Sequence, residues 1–356
     1  MNVIDYLKKY GNISFTDKPF NEVDALVYSQ LSYFDFSDTP CCNENLDYTL
    51  KSFLDNDYNK KRVAAIWNAK ENHRFAMELK KSSRFYNSGV GFYRFDICNK
   101  TEKQFSACVF SITDSLYYIG YRGTDASFVG WKEDLNLGYL DVIPSQKEAL
   151  DYFVNFASKY DGTYIIGGHS KGGNLAVYAA TFAPSELKAK IKMVYSHDGP
   201  GFLPNFYKTQ EFENIQSRIC KIIPKSAVVG LIMEQYNNYK VVNSKAVLLL
   251  QHDLLKWQIV DDHLDYVSDV NKFSKHTRKT MNSWISDMDM ETRKVFVNTI
   301  YELIVETKAE RISQFLKNWP KNLVTINKKV KDLDPQVRKC VLQAFNEFFK
   351  LYIKRN

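Results

Sequence analysis

The sequence predicts an α/β fold, with a mostly parallel central sheet flanked by helices and helical additions at both ends. Two observations carry this. Between about residues 86 and 263, short β-rich apolar runs give way to alternating strand and helix patterns, which is how parallel sheets covered on both faces are built. On either side of that stretch helical periodicity dominates. The organisation expected is therefore a helical N-terminal extension over 1–85 packed on the core, the core over 86–263, and a helical C-terminal region over 264–356. At 356 residues the chain suits one large domain with a modest addition.

The elements follow in order. Phe20 to Leu31 carries Val23, Leu26, Val27 and Leu31 at the spacing of an amphipathic helix. Phe92–Ile97, Phe105–Ile112 and Leu116–Tyr121 are short, rich in Val, Ile, Tyr and Phe, and separated by polar turns, so they read as strands. Glu148–Tyr160 places Ala149, Tyr152, Phe153, Phe156 and Tyr160 on one helical face. Tyr164–Gly167 reads as a strand, Gly172–Phe182 as a helix, and Ile191–Tyr195, Arg218–Ile223 and Ala246–Leu250 as further strands. Near the C-terminus, Asp334 is a good N-cap and Pro335 suits the first helical position. Val337, Val341, Ala344, Phe345, Phe348 and Tyr352 then form one apolar stripe.

Composition and charge narrow the function. The N-terminus, Met1 to Tyr10, has no long apolar run, so no secretory signal is expected. No stretch reaches the roughly 18 apolar residues of a membrane span. Six scattered cysteines without a C-x-x-C pair point to reduced thiols, a cytoplasmic setting and no metal site. No cofactor is expected. Between Leu264 and Asn356, 18 Lys and Arg face 11 Asp and Glu, while the rest of the chain is balanced. The whole formal excess of +7 therefore lies in the C-terminal helices, which are either a solvated face or a weak contact for an anionic membrane surface. No nucleic-acid motif is present.

The chemistry is carried by Tyr164 to Ala176, which contains G-x-S-x-G as Gly168-His169-Ser170-Lys171-Gly172. An apolar strand precedes it and an Ala-rich helix follows, the strand-turn-helix context of the nucleophile elbow in the α/β-hydrolase fold. The serine sits in a tight turn whose neighbours two residues away on either side must be small. The helix behind it offers backbone N–H groups and a dipole to a developing oxyanion. Ser170 is the expected nucleophile. A phosphate loop is disfavoured, because neither G-K-[ST] nor G-x-G-x-x-G is present.

Tyr121-Arg122-Gly123-Thr124-Asp125, followed by Trp131 and Asp134, resembles the oxyanion strand of the class 3 lipases. Gly168 to Gly173 resembles their elbow, except that Lys171 stands where a Leu is common. With Ser196-His197-Asp198-Gly199-Pro200-Gly201 and Gln251-His252-Asp253, the chain looks closer still to a bacterial lipase-like family, Mbeg-like, classed as a domain of unknown function. That resemblance covers essentially the whole length. It implies an oxyanion hole made by the backbone N–H groups of Thr124 and Lys171, with the Thr124 hydroxyl as a further donor.

The base and acid are less directly read. The chain order of this fold places the base after Ser170, leaving His197, His252, His263 and His276. His252 is preferred because it follows the apolar run Ala246–Leu250 in a polar turn. By the class 3 pattern the acid would follow Arg218–Ile223, but that position reads Pro224-Lys225-Ser226. Asp198, after the preceding strand, is the candidate. Asp253, Asp261, Asp262 and a triad without an acid remain open. The expectation is a serine hydrolase cleaving carboxylic esters, of lipid or acyl type by resemblance. The alternatives are a non-catalytic hydrolase-like binding protein, or a thioesterase, acyltransferase or peptidase using the same site.

Overall fold

The computed structural model describes residues 1–64, 66, 68–124, 128–306, 324, 328, 330–333, 335, 337–339 and 341–342. The N-terminal layer holds helices α1 (Val3–Tyr10), α2 (Glu22–Leu31), α3 (Leu50–Ser52), α4 (Ala69–Leu79) and α5 (Ser83–Tyr86). Strands β1 (Val90–Cys98), β2 (Lys103–Thr113) and β3 (Leu116–Tyr121) form an antiparallel meander. Helices α6 (Phe128–Asn136) and α7 (Pro144–Lys159) lead to β4 (Thr163–His169) and α8 (Lys171–Phe182). Next come α9 (Ser185–Lys190), β5 (Ile191–His197), α10 (Gln210–Glu213), β6 (Ile219–Pro224) and β7 (Lys240–Val242). A small hairpin, β8 (Ile259–Val260) with β9 (His263–Leu264), precedes β10 (Tyr266–Val267), α11 (Lys272–Asp287) and α12 (Met290–Glu306).

Among the described residues the main sheet has eight strands in the order β1-β2-β3-β4-β5-β6-β7-β10. The run from β3 to β7 is parallel, and β10 closes the far edge antiparallel to β7. This is the mostly parallel α/β sheet expected from the sequence. Side chains alternate along the strands: Cys108, Phe110, Tyr118 and Ile165 face the N-terminal helices. Ala107, Val109, Ile119 and Ile166 face α7 and α8. Burial on both faces is what a parallel sheet requires. The aligned ends of β3, β4 and β5 (Tyr121 beside Gly168, Gly168 beside Ser196, His169 beside His197) bring their carboxyl ends together, where open α/β sheets bind their ligands.

Three details differ from the sequence reading. Helix α2 is not amphipathic, since every residue from Val23 to Leu31 is buried. Its polar positions are taken up inside: Asp24 pairs with Arg84 at 2.6 Å, Ser29 meets Tyr118 and His197, and Gln30 donates to Asn72 at 2.6 Å. The run Ala246–Leu250 is not a strand; Leu248–His252 is a 3-10 turn and the strand before it is the three-residue β7. The sheet also reaches Val267, a few residues into the stretch read as purely helical. Of the C-terminal stripe, Val337 and Val341 are buried. Asp125, Asp334, Ala344, Phe345, Phe348 and Tyr352 lie outside the described residues. No helix among the described residues is long and apolar enough to cross a membrane.

Candidate active site

Ser170 joins β4 to α8 with φ 58° and ψ −131°, a conformation that costs a non-glycine residue of order 1–3 kcal/mol and persists only when its surroundings enforce it. They do. Its N–H donates to His197 O at 2.9 Å, and its carbonyl accepts from Gly173 N at 2.9 Å. A Cβ on Gly168 would stand 2.5 Å from the Gly172 backbone, and one on Gly172 would stand 2.1 Å from Tyr121 O. The two glycines are therefore the condition for the turn.

Asp198 leaves the end of β5 with φ 48° and is 1% exposed. Its N–H donates to Ile222 O at 2.7 Å, and its Oδ1 accepts from Gly230 N at 3.0 Å. Its Oδ2 lies 2.6 Å from His252 Nδ1. A carboxylate at Nδ1 holds the proton on that nitrogen and leaves Nε2 as the basic atom. Among the described residues no hydrogen bond joins Ser170 Oγ to the His252 ring; such contacts commonly tighten only when substrate is bound.

Asp253 is turned elsewhere. Its Oδ1 accepts from Leu255 N at 3.0 Å and its Oδ2 from Asn68 Nδ2 at 3.1 Å, so it caps the next turn. Ser226, at the expected acid position, tethers the histidine turn instead. Its N–H donates to Gln251 Oε1 at 2.7 Å, and its hydroxyl accepts from Asn271 Nδ2 at 2.7 Å. His197 is buried beneath the sheet end, with Nδ1 2.9 Å from Ser29 Oγ, and burial pushes its pKa down to about 3. His263 is exposed, and His276 lies on α11.

His169 does more than pack. Burial holds it well below the usual histidine range, so the ring is neutral. It accepts from Tyr33 Oη at Nδ1 (2.8 Å) and donates from Nε2 to His252 O (2.8 Å). Its ring centroid is 4.2 Å from that of His252. Tyr33, just past α2, thus supports the His252 turn through His169 from the N-terminal layer, and no local motif marks it.

On the side where the sequence leads one to expect the oxyanion hole, a Cβ on Gly123 would lie 3.0 Å from Ser170 Cβ, which sets the Gly123–Thr124 backbone beside the serine. The Thr124 hydroxyl donates to Asp134 Oδ1 at 2.7 Å. Its single proton is committed there, so the hydroxyl is not the further free donor that the resemblance implies. Burial pushes Asp134 up to about 6, against the pull of Lys171 and the Thr124 hydrogen bond. Lys171 opens α8, where the first amides have no intrahelical acceptor. Its ammonium is buried against Glu133 at 2.7 Å. Among the described residues no group of three His, Cys, Asp or Glu side chains could hold a metal ion.

A family model described as Mbeg1-like matches residues 79–302. Among solved structures the chain is similar to M37 lipase, with 14% identity over 60% of this chain and 70% of that one and a TM-score of 0.38. It is also similar to the Rhizomucor miehei lipase in complex with its propeptide, with 15% identity over 63% and 69% and a TM-score of 0.37. Lipase II from Rhizopus niveus shares 16% identity over 49% and 72%, with a TM-score of 0.32. No curated protein matches the sequence.

Proposed function

The chain belongs to the Mbeg1-like family, and we propose that it is a serine hydrolase that cleaves carboxylic esters through Ser170, His252 and Asp198. The observation that carries this is the 2.6 Å pairing of Asp198 with His252 beside a serine held at φ 58°. His252 Nε2 takes the Ser170 hydroxyl proton as Oγ attacks the acyl carbon. The amides of Thr124 and Lys171 hold the oxyanion, and His252 returns the proton to the departing alcohol. Water, activated by the same histidine, then releases the acid from the acyl-enzyme. Lipid or acyl esters are favoured by the elbow and oxyanion-strand motifs shared with class 3 lipases.

A serine at position 226, where the class 3 pattern puts the acid, is what favours the non-catalytic alternative. The Asp198–His252 contact on the adjoining loop favours the catalytic reading. Cytoplasmic residence and weak contact with an anionic surface belong to the same proposal; Cys41, Cys42, Cys98, Cys108 and Cys220 are free thiols. Steady-state hydrolysis of a short p-nitrophenyl ester tests the function. Wild type should turn over and Ser170→Ala should not; folded wild type without activity would return the chain to the binding-protein reading.

A further inference from the structure

Lys171 takes the place where a Leu is common in class 3 lipases, and it is not a surface lysine turned inward by chance. Its side chain is 1% exposed and that of Glu133 is fully buried. All three ammonium donors are met, by Glu133 Oε2 at 2.7 Å, Gln104 O at 2.7 Å and Gln104 Oε1 at 3.1 Å. Glu133 is equally engaged, accepting from Ser145 N at 2.9 Å and Gln104 N at 3.0 Å. A buried pair of this kind contributes little net stability compared with apolar residues of the same volume, so its use lies in what it holds in place.

It holds the elbow to α6. Successive residues on a helix point about 100° apart, and α6 uses two of them on the two sides of the oxyanion hole. Asp134 takes the Thr124 hydroxyl, and Glu133 takes the side chain of Lys171. We propose that Glu133 is a positioning residue that, together with Asp134, sets the spacing between the Thr124 and Lys171 amides. The inference rests on the hydrolase reading above and deepens it. Because oxyanion donors act where charge develops, a loosened pair lowers kcat more than it raises KM.

The test compares wild type, Glu133→Gln, Lys171→Met and the double variant for p-nitrophenyl ester kinetics, fluorophosphonate labelling rate and Tm. Both single variants leave a buried charge without its partner and are expected to lose Tm. Per folded molecule, kcat should drop about tenfold or more with KM within about twofold, since small misplacements of donors cost about that much or more. In the double variant neither partner of the Lys171–Glu133 pair is left charged and alone, so Tm should recover relative to the single variants while kcat stays low. Recovery of kcat in step with Tm, or single variants with wild-type kcat per folded molecule, would reduce the pair to a structural role and overturn the proposal. A folded wild type that fails to label would instead sink the hydrolase reading, and this inference with it.

Discussion

Asp198 Oδ2 and His252 Nδ1 stand 2.6 Å apart although 54 residues of chain separate them. If that contact orients the ring, Asp198→Asn should lower kcat by up to about 10⁴-fold by favouring the wrong tautomer. Asn tolerates the left-handed backbone and can still accept from Gly230 N. Tm should therefore move little. Parallel loss of Tm and activity in kinetics and thermal melts would make Asp198 a structural residue.

Asp253→Asn and Ser226→Ala provide the contrast. Asp253 caps the turn at Leu255, and Asn is an equally good cap. Ser226→Ala removes one hydrogen bond to Asn271, which costs about 1 kcal/mol. Both variants should keep most of the wild-type kcat. An inactive Asp253→Asn beside an active Asp198→Asn would reassign the acid.

Asp134 gives a pH signature. Burial raises its carboxyl from an ordinary 3.8 to about 6. A carboxyl raised on folding favours the folded state most below its unfolded pKa, and that contribution is lost as pH rises through the folded value. Asp134→Asn lacks the titration. The Tm difference, wild type minus variant, should therefore decline between about pH 4 and about pH 7 in pH-resolved melts; a difference independent of pH would contradict the assignment.

The basic excess of the C-terminal region lies beyond α12, in residues 307–356, and makes a separate prediction. Lys272, Lys279 and Lys294 are exposed on α11 and α12, whereas Lys275 is paired with Asp269 and Arg278 donates to Glu234 O. Weak sedimentation with anionic vesicles at low salt, lost at high salt, is expected of an electrostatic contact. No binding at either salt would return this region to the solvated reading.

How much of this was legible varies residue by residue. The elbow was readable because its geometry tolerates only glycine at Gly168 and Gly172, a constraint that leaves a local spacing in the sequence. The sequence argument for His252 leans on a strand that is absent: a short apolar run has no period that distinguishes a strand from a turn, and β7, at three residues, gives almost no signal. Helix α2 was recognised as a helix, but the burial of Asp24, Ser29 and Gln30 depends on Arg84, Tyr118, His197 and Asn72, partners distant in sequence. Tyr33 and Glu133 were invisible for the same reason. Only Lys171, as a departure from an apolar position, hinted that a buried carboxylate was waiting for it.

The most direct test of the central claim is fluorophosphonate labelling of the purified wild-type protein, followed by mass mapping of the modified peptide. One adduct is expected, on Ser170, formed by wild type and absent from Ser170→Ala. A folded protein that stays unlabelled, or an adduct on another residue that persists in Ser170→Ala, would contradict it.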